Sequence, residues 1–270
     1  MWMKWKLMVT TLPMVFAALG LKLILEHGLK FEGVIEFSDV GLVLTGGIFL
    51  IGFMLAGTMA DYKESEKLPG ELAGNLEAIE DLLDQVAVSK PQLSALGMKG
   101  SVLKATEAIR DWLLRKTTYA LMCTELSQLA TVIARLEREG LAFQASYGLG
   151  ELKKLRNTCT RIQVISRTGF LPAGYALLET LAALVLALLM LAKFKSFLAE
   201  LILVPFVTLI FVYMIRLIRD IDDPFEYSEK GSMSSAEVDL FPFEDFRERL
   251  KARVGSADSR PAAPAVVTAA

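Results

Sequence analysis

Residues 40–60 read VGLVLTGGIFLIGFMLAGTMA, a stretch of the chain without a single charged side chain. As an α-helix with about 1.5 Å rise per residue, it would reach about 30 Å, the thickness of the hydrocarbon core of a bilayer. The stretch therefore predicts a transmembrane helix, and the rest of the chain is interpreted around it.

Three further apolar stretches have the length of a membrane span. Leu7–Leu25 carries Lys22 near one end, Ala173–Ala192 is interrupted only by Glu179, and the last is Leu201–Leu217. A lysine at the centre of a bilayer costs about 2.5–3.5 kcal/mol on insertion scales, so we expect Lys22 to snorkel toward the interface. An intramembrane carboxylate is a candidate functional group, but Glu179 could equally lie at headgroup depth. Two pairs of spans around a polar middle predict an all-α integral membrane protein.

The alternation of apolar and polar blocks predicts five segments. They are residues 1–60 with transmembrane helices 1 and 2, a cytoplasmic helical domain at 61–172, transmembrane helices 3 and 4 at 173–218, a cytoplasmic C-terminal segment at 219–250, and a disordered tail at 251–270. The tail ends in small residues and prolines, which cannot bury enough apolar surface to order it.

Basic side chains predict which side of the membrane each segment occupies. They gather at the span ends that share one side if the spans alternate: Lys4, Lys6, Lys63, Lys67, Arg156, Arg161, Arg167, Arg216 and Arg219. The loop at 27–39 holds one lysine against three acids. Because positive flanks stay in the cytoplasm, we expect a multi-pass protein of the plasma (inner) membrane with both termini cytoplasmic.

The polar middle shows helical periodicity. One apolar stripe recurs every three or four residues: Leu72, Leu76, Ile79, Leu83 and Val86. A second has the spacing 4-3-4-3: Met122, Leu126, Leu129, Ile133 and Leu136. The second stripe fits a bundle core or a short coiled-coil seam, and the bundle is favoured because barely two heptads are present. We expect Gly140 and Gly148–Gly150 to separate this helix from a basic helix at Glu151–Arg167.

Composition excludes several classes of function. The formal net charge is −2, which implies no nucleic-acid partner. His27 is the only histidine, so no catalytic or metal site is built on several histidines. The two cysteines, Cys123 and Cys159, lie in the polar middle and are expected to be reduced. The sequence predicts no cofactor and no enzymatic activity; the expected partners are membrane lipids, permeant ions and copies of the chain.

The 40–60 helix has two unlike faces on a helical wheel. One face holds small residues and phenylalanines: Thr45, Phe49, Gly52, Phe53, Ala56, Gly57 and Ala60. The opposite face holds Leu44, Leu50, Ile51, Met54 and Leu55, and we expect it to meet acyl chains. The small residues would let helices approach closely, as ordinary packing requires. Alternatively, copies of the helix surround an axis and the phenylalanines form apolar rings that gate a pore by dewetting.

Three parts of the chain resemble the bestrophin-like membrane proteins, including the bacterial bestrophin homologues. They are the opening layout with LMVTTLPMVF at 7–16 and EFSDVGLVLTGGIFLIGF at 36–53, the exit from the second span GFMLAGTMADYKESEKLPGELA at 52–73, and the acidic segment RLIRDIDDPFEYSEKGSMSSAEVDLFPFEDF at 216–246. The resemblance covers about residues 5–250, including the 2+2 arrangement of spans.

The resemblance implies a homopentameric ion channel with one central pore. Family members line an apolar neck at three positions four residues apart on the second helix, which here are Thr45, Phe49 and Phe53. Thr45 departs from the usual aliphatic or aromatic residue. Eukaryotic members bind calcium at acids after the fourth span; here Asp220, Asp222, Asp223 and Glu226 are present without an uninterrupted acidic run. These four acids are candidate ion ligands, or helix-end acids that face water or pair with arginines.

Asp61 follows the second span directly. In a ring of subunits it would place a ring of acids at the cytoplasmic mouth, which would favour cations. Alternatively, it is an interfacial residue that pairs with Lys63 or Lys67.

Two other functions share parts of this plan. A proton-driven stator or energiser subunit also has a 2+2 arrangement and a long cytoplasmic loop, but normally has a proline-rich third span, which Ala173–Ala192 lacks. A non-conducting membrane scaffold or sensor would use the cytoplasmic helices to dock another protein. We favour the channel.

Overall fold

The computed structural model describes residues 3–31, 33–93, 95–168, 172–227 and 236–258. Within these residues, four helices are long and apolar enough to cross a membrane. In chain order the elements are α1 (Met3–Leu23), a π-helical turn (Ile24–Gly28), β1 (Ile35–Glu36), α2 (Phe37–Ser65), α3 (Leu68–Ser89), α4 (Ala95–Leu113), α5 (Tyr119–Arg138), α6 (Ala142–Arg167), α7 (Pro172–Leu191), β2 (Ala192–Lys193), α8 (Phe197–Asp222) and α9 (Phe241–Asp258). The predicted all-α membrane fold is confirmed.

The chain forms two compact units, and the first, the membrane unit, contains α1, α2, α7 and α8. Here α2 packs against α7 and α8, and α1 packs against α8. The core shared by α2, α7 and α8 consists of apolar side chains around the Phe211 ring: Val40, Leu44, Ile51, Met54, Leu178, Val185, Leu189, Val207 and Phe211. Close packing of this kind holds helices together where lipid removes the hydrophobic drive between them.

A short β-bridge joins the two hairpin loops of the membrane unit. Strands β1 and β2 pair in parallel, with Ile35 opposite Ala192. Gly33 lies beside this bridge with φ of 74°, and a Cβ there would come within 3.0 Å of the carbonyl carbon of Ala192. Only glycine tolerates both the backbone conformation and this approach. The bridge fixes the end of α1 relative to the start of α8.

The second, helical unit contains α3, α4, α5, most of α6 and α9. Both predicted apolar stripes are buried in it, at 2% exposure or less for every member. Helix α5 packs against α4, and its Ile133 approaches α6 at Gly148. The 4-3-4-3 stripe therefore belongs to a multi-helix core rather than to a two-stranded seam.

Gly140 lies between α5 and α6, as predicted, but Gly148 and Gly150 do not separate two helices. Helix α6 begins at Ala142 and runs through them to Arg167. A Cβ on Gly148 would lie 2.6 Å from Leu82 Cδ2 and 2.9 Å from Ile133 Cγ2. The residue is glycine because α3 and α5 pack directly on the α6 backbone there, which compensates for its low helix propensity.

Helix α9 packs against α3 and α4 and continues to Asp258. Phe243, Phe246 and Leu250 on its inner face are fully buried. This apolar face stabilises the helix beyond residue 250, so the first residues assigned to the disordered tail are helical. The remainder of that tail, 259–270, lies outside the described residues.

Candidate functional site

One face of α2 is exposed in the protomer. Phe49 and Phe53 are 75% and 71% exposed, and their neighbours on that side are exposed as well. The full exposed set includes every residue that the sequence assigned to the small and phenylalanine-bearing face: Thr45, Phe49, Gly52, Phe53, Ala56, Gly57 and Ala60. Within the described part of the chain, a Cβ on Gly52 or Gly57 would meet no atom within 4 Å. The small residues therefore serve no close approach inside the protomer.

The opposite face of α2 is buried rather than lipid-exposed. Leu44, Ile51 and Met54 pack in the core of the membrane unit, so the expectation that this side meets acyl chains is wrong. Hydropathy could not distinguish the two environments because lipid and a helix-packed core are equally apolar. Gly47 shows how tight the packing is: a Cβ there would lie 2.9 Å from Cζ of the buried Phe211 ring.

The polar groups on the exposed face are few. The Thr45 hydroxyl donates to the Gly41 carbonyl at 2.9 Å, so its proton is engaged within the helix. Asp61 is exposed near the end of α2 and accepts, through its backbone carbonyl, a hydrogen bond of 2.9 Å from Ser65. Between these two residues the face is apolar over several helical turns.

The four candidate ion ligands lie at the end of α8 and just beyond it: Asp220, Asp222, Asp223 and Glu226. The Tyr175 hydroxyl lies close to the Asp222 carboxylate. Among the described residues, no group of three or more His, Cys, Asp or Glu side chains could hold a metal ion. The four acids therefore do not converge on one point, as calcium with six to eight oxygen ligands would require.

Glu179 on α7 forms an ion pair with Arg219 on α8. The Arg219 guanidinium also lies 5.7 Å from the centre of the Tyr175 ring. Nearby, Arg216 donates to the Thr10 carbonyl of α1 at 2.6 Å. The arginines that the sequence assigned to the flank of span four thus also tie α8 to α7 and α1.

Lys22 is 2% exposed and does not snorkel, contrary to the prediction. Its ammonium donates to the carbonyl of Ala192 at 2.6 Å and to that of Met190 at 3.2 Å. Two carboxyl groups lie nearby, Glu26 in the π-helical turn and the buried Glu200 in the first turn of α8. Sequence reasoning missed this cluster because the predicted fourth span begins at Leu201 and so leaves Glu200 outside it. The i, i+4 spacing of Lys22 and Glu26 was the available signal.

The fold has counterparts among solved structures, although no protein-family model and no curated protein matches the sequence. A crystal structure of a bacterial bestrophin homologue from Klebsiella pneumoniae aligns with a TM-score of 0.71 at 14% identity, covering 89% of this chain and 97% of that one. A mutant of the homologue aligns with a TM-score of 0.72 at 14% identity, covering 93% and 100%. At this identity the similarity establishes the fold. The chain is therefore a multi-pass, all-α membrane protein with the bestrophin-like fold.

Proposed function

We propose that this chain is the subunit of a homopentameric ion channel whose axial pore has an apolar neck lined by α2. The observation that carries the proposal is the exposure of Phe49 and Phe53 on a charge-free face whose opposite side is packed inside the protomer. The bestrophin-like fold supports it, because the family that the sequence resembles forms channels of this kind. Since one fold can host several functions, the proposal depends on this face.

The neck would consist of stacked rings. Side chains four residues apart on a helix lie one above the other, so Thr45, Phe49 and Phe53 from each subunit would form three layers around the axis. Phenylalanine rings offer an ion no oxygen to replace its hydration shell. Such a constriction gates by dewetting: it conducts when wide enough to stay wet and closes when it dries.

Small residues on the same face would bring neighbouring copies together. Gly52, Ala56, Gly57 and Ala60 leave room for close helix approach between subunits, which is how membrane helices associate. Asp61 would then form a ring of carboxylates at the mouth, on the side where both termini lie, and would favour cations there. In this arrangement the termini and the helical unit are cytoplasmic and the protein resides in the inner membrane.

Reconstitution of the purified protein into planar bilayers tests the proposal. The wild type should pass ionic current, and Phe49→Ala combined with Phe53→Ala should change its conductance or gating, since the substitutions widen and weaken the apolar layers. The native mass of the assembly, measured in parallel, should correspond to five chains.

The matched control is Phe206→Ala on α8, where the phenylalanine is 59% exposed but lies on another span. It should leave the current unchanged. Silent bilayers from well-assembled pentamers would contradict conduction, and an equal effect of Phe206→Ala would contradict the assignment of the neck to α2.

A further inference from the structure

Three ionisable groups lie together between the end of α1 and the start of α8: Lys22, Glu26 and Glu200. Lys22 is held by the carbonyls of Met190 and Ala192, at the C-terminal end of α7. Unpaired carbonyls and the helix dipole make that end of a helix attractive to a cation. The ammonium therefore has backbone partners of its own, apart from the two carboxyl groups.

The two carboxyl groups face each other. Glu200 is 1% exposed, and Glu26 lies within hydrogen-bonding reach of it. Among the described residues, no donor reaches the buried Oε1 of Glu200 or the buried Oε2 of Glu26. An ionised carboxylate only accepts hydrogen bonds, so two ionised groups in contact would repel each other and leave both oxygens without a donor. A single proton shared by the two carboxyl groups removes the repulsion and provides a hydrogen-bond donor between them.

The neighbouring cations stabilise one ionised carboxylate of the pair, whereas burial and the contact between the two carboxyl groups favour retention of a proton by the other. The titratable groups that face Glu200 are Lys22 from α1 and Glu26 and His27 from the π-helical turn; α7 and β2 contribute the two carbonyls that hold Lys22. His27 is exposed and packs edge-on against Phe197 at 5.8 Å between ring centres. One lysine balances one carboxylate, so the buried cluster is neutral when the second carboxyl keeps its proton.

We propose that Glu26 and Glu200 form a proton-binding site that holds one proton between the π-helical turn and α8. The π turn carries Glu26; such turns are rare and occur frequently at functional sites. Loss of the proton would leave two negative charges against one positive charge in a buried place, and the end of α1 would separate from α8. The site is independent of the pore face and does not require conduction.

The number of protons bound by the folded and the unfolded chain determines whether stability rises or falls with pH. Carboxyl groups in the unfolded chain ionise at about pH 4.3, so above that pH the folded protein holds one more proton than the unfolded chain. Unfolding then releases a proton, and stability falls as pH rises until the folded protein also loses it. The thermal midpoint should fall by about 2–4 °C per pH unit over this range.

Infrared spectroscopy of the full chain in lipid tests the site directly. At about pH 7, near the middle of the range in which most carboxyl groups are ionised, the wild type should show the carbonyl stretch of a protonated, buried carboxylic acid. Glu200→Gln supplies an amide donor to Glu26 without a titratable proton. It should abolish the acid band and flatten the pH dependence of the thermal midpoint, and Glu26→Gln should do the same.

Glu36→Gln is the matched control, because Glu36 is an exposed carboxylate of the membrane unit. It should retain both the band and the pH dependence. Absence of the acid band in the wild type, which requires no variant, would overturn the proposal, as would a band that persists in both glutamine variants. If sodium at constant ionic strength raises the thermal midpoint and no acid band is present, the pair binds a metal cation and the proposal is wrong.

Discussion

At the scale of single residues, the environment decides what a residue type does. Gly148 and Gly150 are two positions apart in α6, and the sequence pattern gives no reason to treat them differently. In the structure Gly148 lies under Leu82 and Ile133, whereas a Cβ on Gly150 would meet nothing within 4 Å among the described residues. Only Gly148 is required for packing.

We therefore expect the same substitution to change the stability of the protein by different amounts at Gly148 and at Gly150. Gly148→Leu and Gly150→Leu gain the same helix propensity, but only the former inserts a side chain into a filled core. We expect the free energy of unfolding of Gly148→Leu to be lower than that of Gly150→Leu by about 2–3 kcal/mol. Denaturant unfolding of the full chain in detergent, followed by circular dichroism, measures it. Equal stabilities would show that α3 and α5 do not pack on the α6 backbone.

At the scale of elements, ion pairs join α9 to the rest of the helical unit. Glu80 on α3 is buried and meets Arg253 of α9 at 2.5 Å and Lys99 of α4 at 3.3 Å. One turn earlier, Glu77 meets Arg249 of α9 at 3.2 Å, with both side chains about half exposed. Buried and exposed pairs of this kind contribute very differently, because removing one partner of a buried pair leaves an uncompensated charge.

We therefore expect alanine substitutions of Glu80 and Glu77 to lower the stability of the protein by different amounts. Glu80→Ala should destabilise the protein by about 2 kcal/mol, since Arg253 and Lys99 both lose a buried partner while Lys99 keeps its ion pair with Asp84 at 2.7 Å. Glu77→Ala on the same helix, facing the same partner helix, should cost about 0–1 kcal/mol because solvent screens the exposed pair. Thermal unfolding of the full chain compares them. Equal losses would mean that burial of Glu80 does not determine the strength of its pairs.

At the scale of the whole molecule, the distribution of charge predicts which side of the membrane each loop occupies. The basic flanks predict that the helical unit is cytoplasmic and that the loop between α7 and α8 is external. Both regions contain exposed polar residues, for example Gln128 on α5 and Lys195 in the loop. These positions report the topology without disturbing a core.

Cysteine labelling in intact cells tests the topology. Against a Cys123→Ser background, Lys195→Cys should react with a membrane-impermeant thiol reagent and Gln128→Cys should react only after lysis. The remaining Cys159 stays silent because it is 1% exposed and burial raises the pKa of its thiol to about 12. Labelling of Gln128→Cys in intact cells, with Lys195→Cys protected, would invert the predicted orientation.

The sequence alone determined the four spans, the all-α class and the two buried stripes of the helical unit, because hydropathy and periodicity are local properties that each segment carries by itself. It also identified the two faces of α2. Only the tertiary structure decided which face is packed, because helix packing and lipid are equally apolar environments. The same limit explains Lys22, Glu26 and Glu200. Their burial depends on the β-bridge and on the carbonyls of Met190 and Ala192, which come from segments far apart in the chain, and no local pattern predicts such convergence.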